Sequence, residues 1–136
     1  MAFRVFPGDY ASLAEIATFV RQVSIAAGFD SNTVYQIETA VDEACSNIIE
    51  HAYGGEHRGD IECQCEITER SLTITLKDHG KPFRPDKIAA PDLKAPLKKR
   101  QAHGLGLYFM RQWMDEVHFE FMDGVNVLTL IKHLPG

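Results

Sequence analysis

Positive charge is in short supply in this sequence. Lys and Arg number 14 against 19 Asp and Glu, a formal net charge of −5 over 136 residues. That balance speaks against a nucleic acid or an acidic membrane as partner. Long apolar runs are also missing. No stretch approaches membrane-spanning length and residues 1–10 lack the build of a signal peptide, so the expected setting is the cytoplasm. Cysteine is scarce: Cys45, Cys63 and Cys65 are an odd count without CxxC spacing, which favours packed free thiols over a disulfide framework. The 6 histidines show no HxxxH or paired spacing for a metal. Internal repeats are absent. What remains, 45% hydrophobic and 24% charged residues, is ordinary for a soluble globular protein. The length suits one domain, residues 1–136, with a core of its own.

Within that frame the elements follow from periodicity. Residues 3–6 alternate as an edge strand, and Pro7-Gly8-Asp9 breaks them. Leu13, Ile16, Ala17, Val20, Val23 and Ala27 have helical spacing, with Gly28 suited to the stop. Asp30 or Ser31 caps a second helix that ends at Tyr53-Gly54-Gly55. The period then changes to two. Ile61, Cys63, Cys65 and Ile67 alternate with polar residues, and Leu72, Ile74 and Leu76 repeat the pattern after a turn at residues 69–71. That strand runs into Asp78-His79-Gly80-Lys81-Pro82-Phe83. Residues 84–103, with Pro85, Pro91 and Pro96, show no sustained period and form a long functional or mobile loop. Gly104-Leu105-Gly106-Leu107 opens a third helical pattern through Phe109, Met110 and Trp113. Val117, Phe119 and Phe121 predict a strand, Asp123-Gly124 a hairpin turn, and residues 125–132 the returning strand.

Three short constellations carry chemistry, and each alone has a plain structural reading. On the second helix, Glu43, Asn47, Glu50 and His51 share a stripe at i, i+4, i+7 and i+8, with Asp42 as a further carboxylate. Glu43 can take a proton from a hydroxyl or water, and Asn47 can offer an oxygen to Mg²⁺. Asp78 at a strand end can accept from an exocyclic amine, while Gly80 lets a flat ring approach the backbone. Gly104 and Gly106 free backbone N–H groups for phosphates at a helix N-terminus. Together they make an acid, a metal ligand, a base reader and a phosphate cradle.

In order and spacing, EACSNIIEHAY, DHGKPF and GLGLYFMRQWMDEV resemble the three boxes of the gyrase–Hsp90–histidine-kinase–MutL (GHKL) ATPases. The similarity is greatest to the anti-sigma-factor serine/threonine-protein kinase branch and covers nearly the whole chain. It implies the Bergerat ATP-binding fold, an α/β two-layer sandwich with a mixed, mostly antiparallel sheet and helices on one face. It implies ATP and Mg²⁺ as cofactors, Glu43 as general base and Asn47 as metal ligand. Asp78, Gly80 and Phe83 would form the adenine pocket. Residues 86–103 would be the ATP lid, and Gly104, Leu105, Gly106 and Leu107 its phosphate-binding hinge. Ile48 departs from the alanine common in the family. Which of Lys98, Lys99, Arg100 and His103 meets the γ-phosphate stays open. The implied activity is ATP-dependent phosphorylation of a small STAS-domain anti-sigma-factor antagonist, with a sigma factor as a second partner and a homodimer as the assembly. The alternatives are a non-catalytic ATP-dependent clamp and a histidine-kinase-like ATPase domain. The second fits less well, because no dimerisation helix pair fits before Tyr10 and such kinases commonly carry Asn where this chain has Glu43.

Overall fold

A computed structural model describes residues 1–82 and 102–135, the side chains of residues 102–106 and 109 excepted. The chain opens with strand β1 (Ala2–Pro7) and a short 3₁₀ turn (Tyr10–Ser12). Helices α1 (Leu13–Ala27) and α2 (Ser31–Asn47) follow, and α2 runs on into a π-helical segment (Ile48–Ala52). Strands β2 (Asp60–Ile67) and β3 (Ser71–Asp78) come next, then helix α3 (Ala102–Trp113) and strands β4 (Glu116–Met122) and β5 (Val125–His133).

Local chemistry explains the breaks. Gly28 sits at φ 102° and donates its N–H back to Ile25, closing α1 in a left-handed conformation that only glycine adopts at no steric cost. Asp30 then starts α2, its carboxylate accepting from the Thr33 N–H at 2.8 Å. At the far end of α2 the ladder widens: the Tyr53 N–H reaches the Ile48 carbonyl at 2.9 Å, five residues back. This bulge begins directly after Asn47 and turns the next residues out of the expected stripe. Asn47 is buried, whereas Glu50 and His51 are exposed.

The strands form one sheet in the order β1-β2-β3-β5-β4. All four pairings among the described residues are antiparallel, in line with the expected mostly antiparallel sheet. Register aligns the inward residues in rows: Cys63 opposite Leu76, and Leu76 opposite Leu128, with Cys65, Ile74 and Leu130 in the next row. Against these rows lie Ile16 and Val20 of α1 and Ile37, Val41, Ala44 and Cys45 of α2, all buried. The three cysteines are buried and reduced, and burial pushes the thiols of Cys45 and Cys63 well above the usual range. For Cys63 a hydrogen bond with Cys65 adds the largest upward push. They behave as small apolar residues. The hairpin between β4 and β5 turns on Asp123 and Gly124, at φ 55° and 78°, the paired left-handed residues of a type I′ turn.

The consequence for function lies in the topology. Because β5 inserts between β3 and β4, the end of β3 meets the start of β5, and Asp78 becomes the direct partner of Asn126. The C-terminal end of α2 packs over that point. Among the described residues, no helix is long and apolar enough to cross a membrane.

Candidate nucleotide site

A cleft opens where α2, the β3 end, α3 and the start of β5 converge. Asn47, Ala44, Ala52, Asp78, Met110 and Asn126 are among its lining residues. Asn47, Asp78 and Asn126 are 7%, 3% and 6% exposed, so three of the few buried polar side chains among the described residues share one site. Buried polar groups are retained at a cost, which makes their convergence informative. The cleft interior offers about 30 Å³. A larger groove of about 610 Å³ lies against Val5, Arg58, Glu62, His79 and Lys81. It holds neither Asn47 nor Asp78, and the smaller cleft is therefore the candidate site.

Asp78 is the hub. Its Oδ1 accepts from the Gly80 N–H at 2.9 Å and from the Asn126 amide at 2.9 Å. Burial raises its carboxyl above the ordinary carboxylate range, and the hydrogen bonds from Asn126 and Gly80 and the nearby His79 oppose that rise. Asn126 also donates to the Lys81 carbonyl at 2.8 Å, tying the loop after β3 to β5.

Gly80 has a more specific task than giving a ring room. A Cβ there would stand 2.4 Å from the carbonyl carbon and oxygen of Ala52. The absent side chain lets the loop close on the end of the π-helical segment, where the Lys81 N–H donates to the Ala52 carbonyl at 2.7 Å. Tyr53 braces the same junction. Its hydroxyl donates to the Asp60 carbonyl at 2.6 Å and accepts from the His79 N–H at 3.0 Å.

Glu43 lies one turn before Asn47 on α2, half-buried beside the cleft rather than in its wall. Burial, then the charges of Asp42 and Glu50, raise its carboxyl above the usual range, making it a stronger proton acceptor when ionised. Helix α3 begins at Ala102, so Gly104, Leu105, Gly106 and Leu107 lie in its first two turns rather than ahead of it. The Leu107 side chain is buried in the core. Phe83, Lys98, Lys99 and Arg100 lie outside the described residues, as do most of residues 86–103 and the His103 side chain.

Sequence reasoning missed Asn126 and Tyr53. Asn126 carried a signal, since it stands two residues before Leu128 and four before Leu130, at an inward position where alternation calls for an apolar residue. Tyr53 carried none, because its partners come from other elements.

Two buried amides and a buried carboxylate thus meet at one end of the two central strands of an antiparallel α/β sandwich, with a further acid one turn away on α2. Residues 6–132 match the family described as Histidine kinase-like ATPase domain, and the chain belongs to it. The serine-protein kinase RsbW of Bacillus velezensis is 31% identical over 118 residues, 84% of this chain and 73% of that protein. RsbW of Listeria monocytogenes is 29% identical over 124 residues, 88% of this chain and 78% of that protein. The solved RsbU and RsbW domains of Rv1364c from Mycobacterium tuberculosis share the fold, with a TM-score of 0.64 at 13% identity. That match covers 100% of this chain and 34% of the other.

Proposed function

We propose that this chain is an ATP-dependent serine/threonine-protein kinase of the anti-sigma-factor type. The observation that carries the reading is the meeting of Asn47 and Asp78 in one cleft, with Glu43 one turn away on the same helix. Asp78 accepts the 6-amino group of adenine, with Gly80 holding its loop in place. Gly104 and Leu105 present backbone N–H groups of the first turn of α3 to the phosphates, with Gly106 and Leu107 in the turn behind them. Phe83 and a lid over residues 86–103 complete the pocket on the strength of the family resemblance, as does the treatment of residues 1–136 as one domain.

The donor set suits Mg²⁺. Among the described residues no group of three or more His, Cys, Asp or Glu is arranged to hold a metal. A single buried amide oxygen, completed by phosphates and water, is the kind of partial shell that Mg²⁺ takes. Asn47 would hold it, and it would supply neutralisation of phosphate charge. In the transfer, a partner hydroxyl forms an O–P bond to the γ-phosphorus while the bond to the β,γ-bridging oxygen breaks and ADP leaves. The hydroxyl proton passes to Glu43. An acid at position 43, one helical turn before Asn47, favours a kinase over a clamp that only binds ATP.

The partner that fits the resemblance is a small STAS-domain anti-sigma-factor antagonist, with a sigma factor held in turn on a homodimer. The test is radiolabelled γ-phosphate transfer to proteins captured with ATP, run beside nucleotide titrations. Glu43→Ala should abolish transfer and keep ATP binding, whereas Asn47→Ala should lose Mg²⁺-dependent binding as well. Wild-type chain that binds ATP and transfers nothing to any captured partner would establish the clamp instead.

A further inference from the structure

Asn126 lines the cleft, and its bonding is unusually directed. Its amide nitrogen has two hydrogens, and two good acceptors stand within reach: Asp78 Oδ1 at 2.9 Å and the Lys81 carbonyl at 2.8 Å. A turned-over amide would place its oxygen against both of those oxygens, so the orientation is fixed by its neighbours. The Gly80 N–H also lands on Oδ1. Both donors to the Asp78 carboxylate therefore converge on one oxygen, and among the described residues neither reaches Oδ2. A carboxylate gripped on one side cannot rotate freely to offer either oxygen. The same amide fastens the loop after β3, so the direction of the second oxygen and the height of the loop are set together.

We propose that Asn126 is a positioning residue for purine selectivity, holding Asp78 so that Oδ2 faces the ligand as a pure acceptor for a 6-amino group. A purine bearing a 6-oxo group would present a lone pair to that oxygen and be rejected. One bearing only hydrogen at C6 would leave the buried carboxylate without its donor, a large loss in a desolvated site. This rests on the reading of Asp78 as the base acceptor.

A cycle of ligand and protein changes tests it. ATP and purine riboside triphosphate, which lacks the 6-amino group, are titrated calorimetrically into wild type, Asn126→Leu and Asn126→Ala. Leucine removes the donors at similar volume. Alanine removes them without adding bulk or charge beside Asp78, and it serves if the leucine variant fails to fold. Wild type should prefer ATP by about 10- to 100-fold, the range for a hydrogen bond to a charged group. The variants should prefer it by less than about threefold, with affinity for the analogue changed far less than affinity for ATP. Equal losses for both ligands would mean that Asn126 only supports the fold, and unchanged selectivity would mean that it does not aim Asp78. Either result overturns the inference while leaving Asp78 in place. A wild type that binds both nucleotides equally would remove the base-reading role of Asp78 itself.

Discussion

Replacing Gly80 by alanine tests the junction on which the cleft is built. The added methyl would stand 2.4 Å from both the carbonyl carbon and oxygen of Ala52 and 2.7 Å from its Cβ. These are mostly backbone atoms at the end of a packed helix, so no flexible side chain can yield. Relief requires the loop after β3 to move away from the π-helical segment. Overpacking of this kind costs about 1–3 kcal/mol. Retreat of the loop also stretches the 2.7 Å bond from the Lys81 N–H to the Ala52 carbonyl, which adds about 1 kcal/mol. The sum, about 2–4 kcal/mol, corresponds to a fall in melting temperature of roughly 6–20 °C for a domain of this size. ATP affinity should fall too, because the Gly80 N–H that holds Asp78 moves with the loop. Gly124→Ala is the control: at φ +78° it is strained, but nothing lies within 4 Å of the new methyl. It should cost about 1 kcal/mol and leave ATP binding unchanged. Calorimetric melting and ATP titration of the two variants decide the matter. A Gly80→Ala protein that melts within about 2 °C of wild type and binds ATP normally would refute the reasoning.

Other outcomes follow from the same contacts. Tyr53→Phe removes the donor to the Asp60 carbonyl and the acceptor of the His79 N–H, and should destabilise by about 1–3 kcal/mol in denaturant melts. Asp30→Ala loses the cap on Thr33 and should cost about 1 kcal/mol, with nucleotide affinity unaffected. Glu43 is a carboxyl whose folded-state affinity for a proton is raised, chiefly by burial. Its contribution to stability is therefore present at acid pH and lost as pH rises through its folded value. Glu43→Gln should accordingly raise the melting temperature near neutral pH while phosphoryl transfer is lost. That gain should disappear as pH falls below the ordinary carboxylate range, and a variant less stable than wild type at pH 7 would contradict it.

Much of this protein could be read from the chain alone because much of it is local. The two-residue alternation of Ile61, Cys63 and Cys65 and of Leu72, Ile74 and Leu76 already determines two half-buried strands, since neighbouring side chains on a strand must face opposite ways. Gly28 and Asp30 likewise mark a stop and a start through bonds that span only a few residues. Glu43 and Asn47 were legible as a pair one helical turn apart. The tertiary structure decided what lies beyond the reach of such patterns. The π-helical widening after Asn47 separates that residue, buried, from Glu50 and His51, exposed, although a regular helix would have kept them in one stripe. The start of α3 at Ala102 moves the two glycines inside the helix. Above all, Asn126 meets Asp78 across 48 residues of sequence. That contact exists because β5 inserts between β3 and β4, a choice made by packing whole strands against helices. No periodicity within either strand records which neighbour it will find.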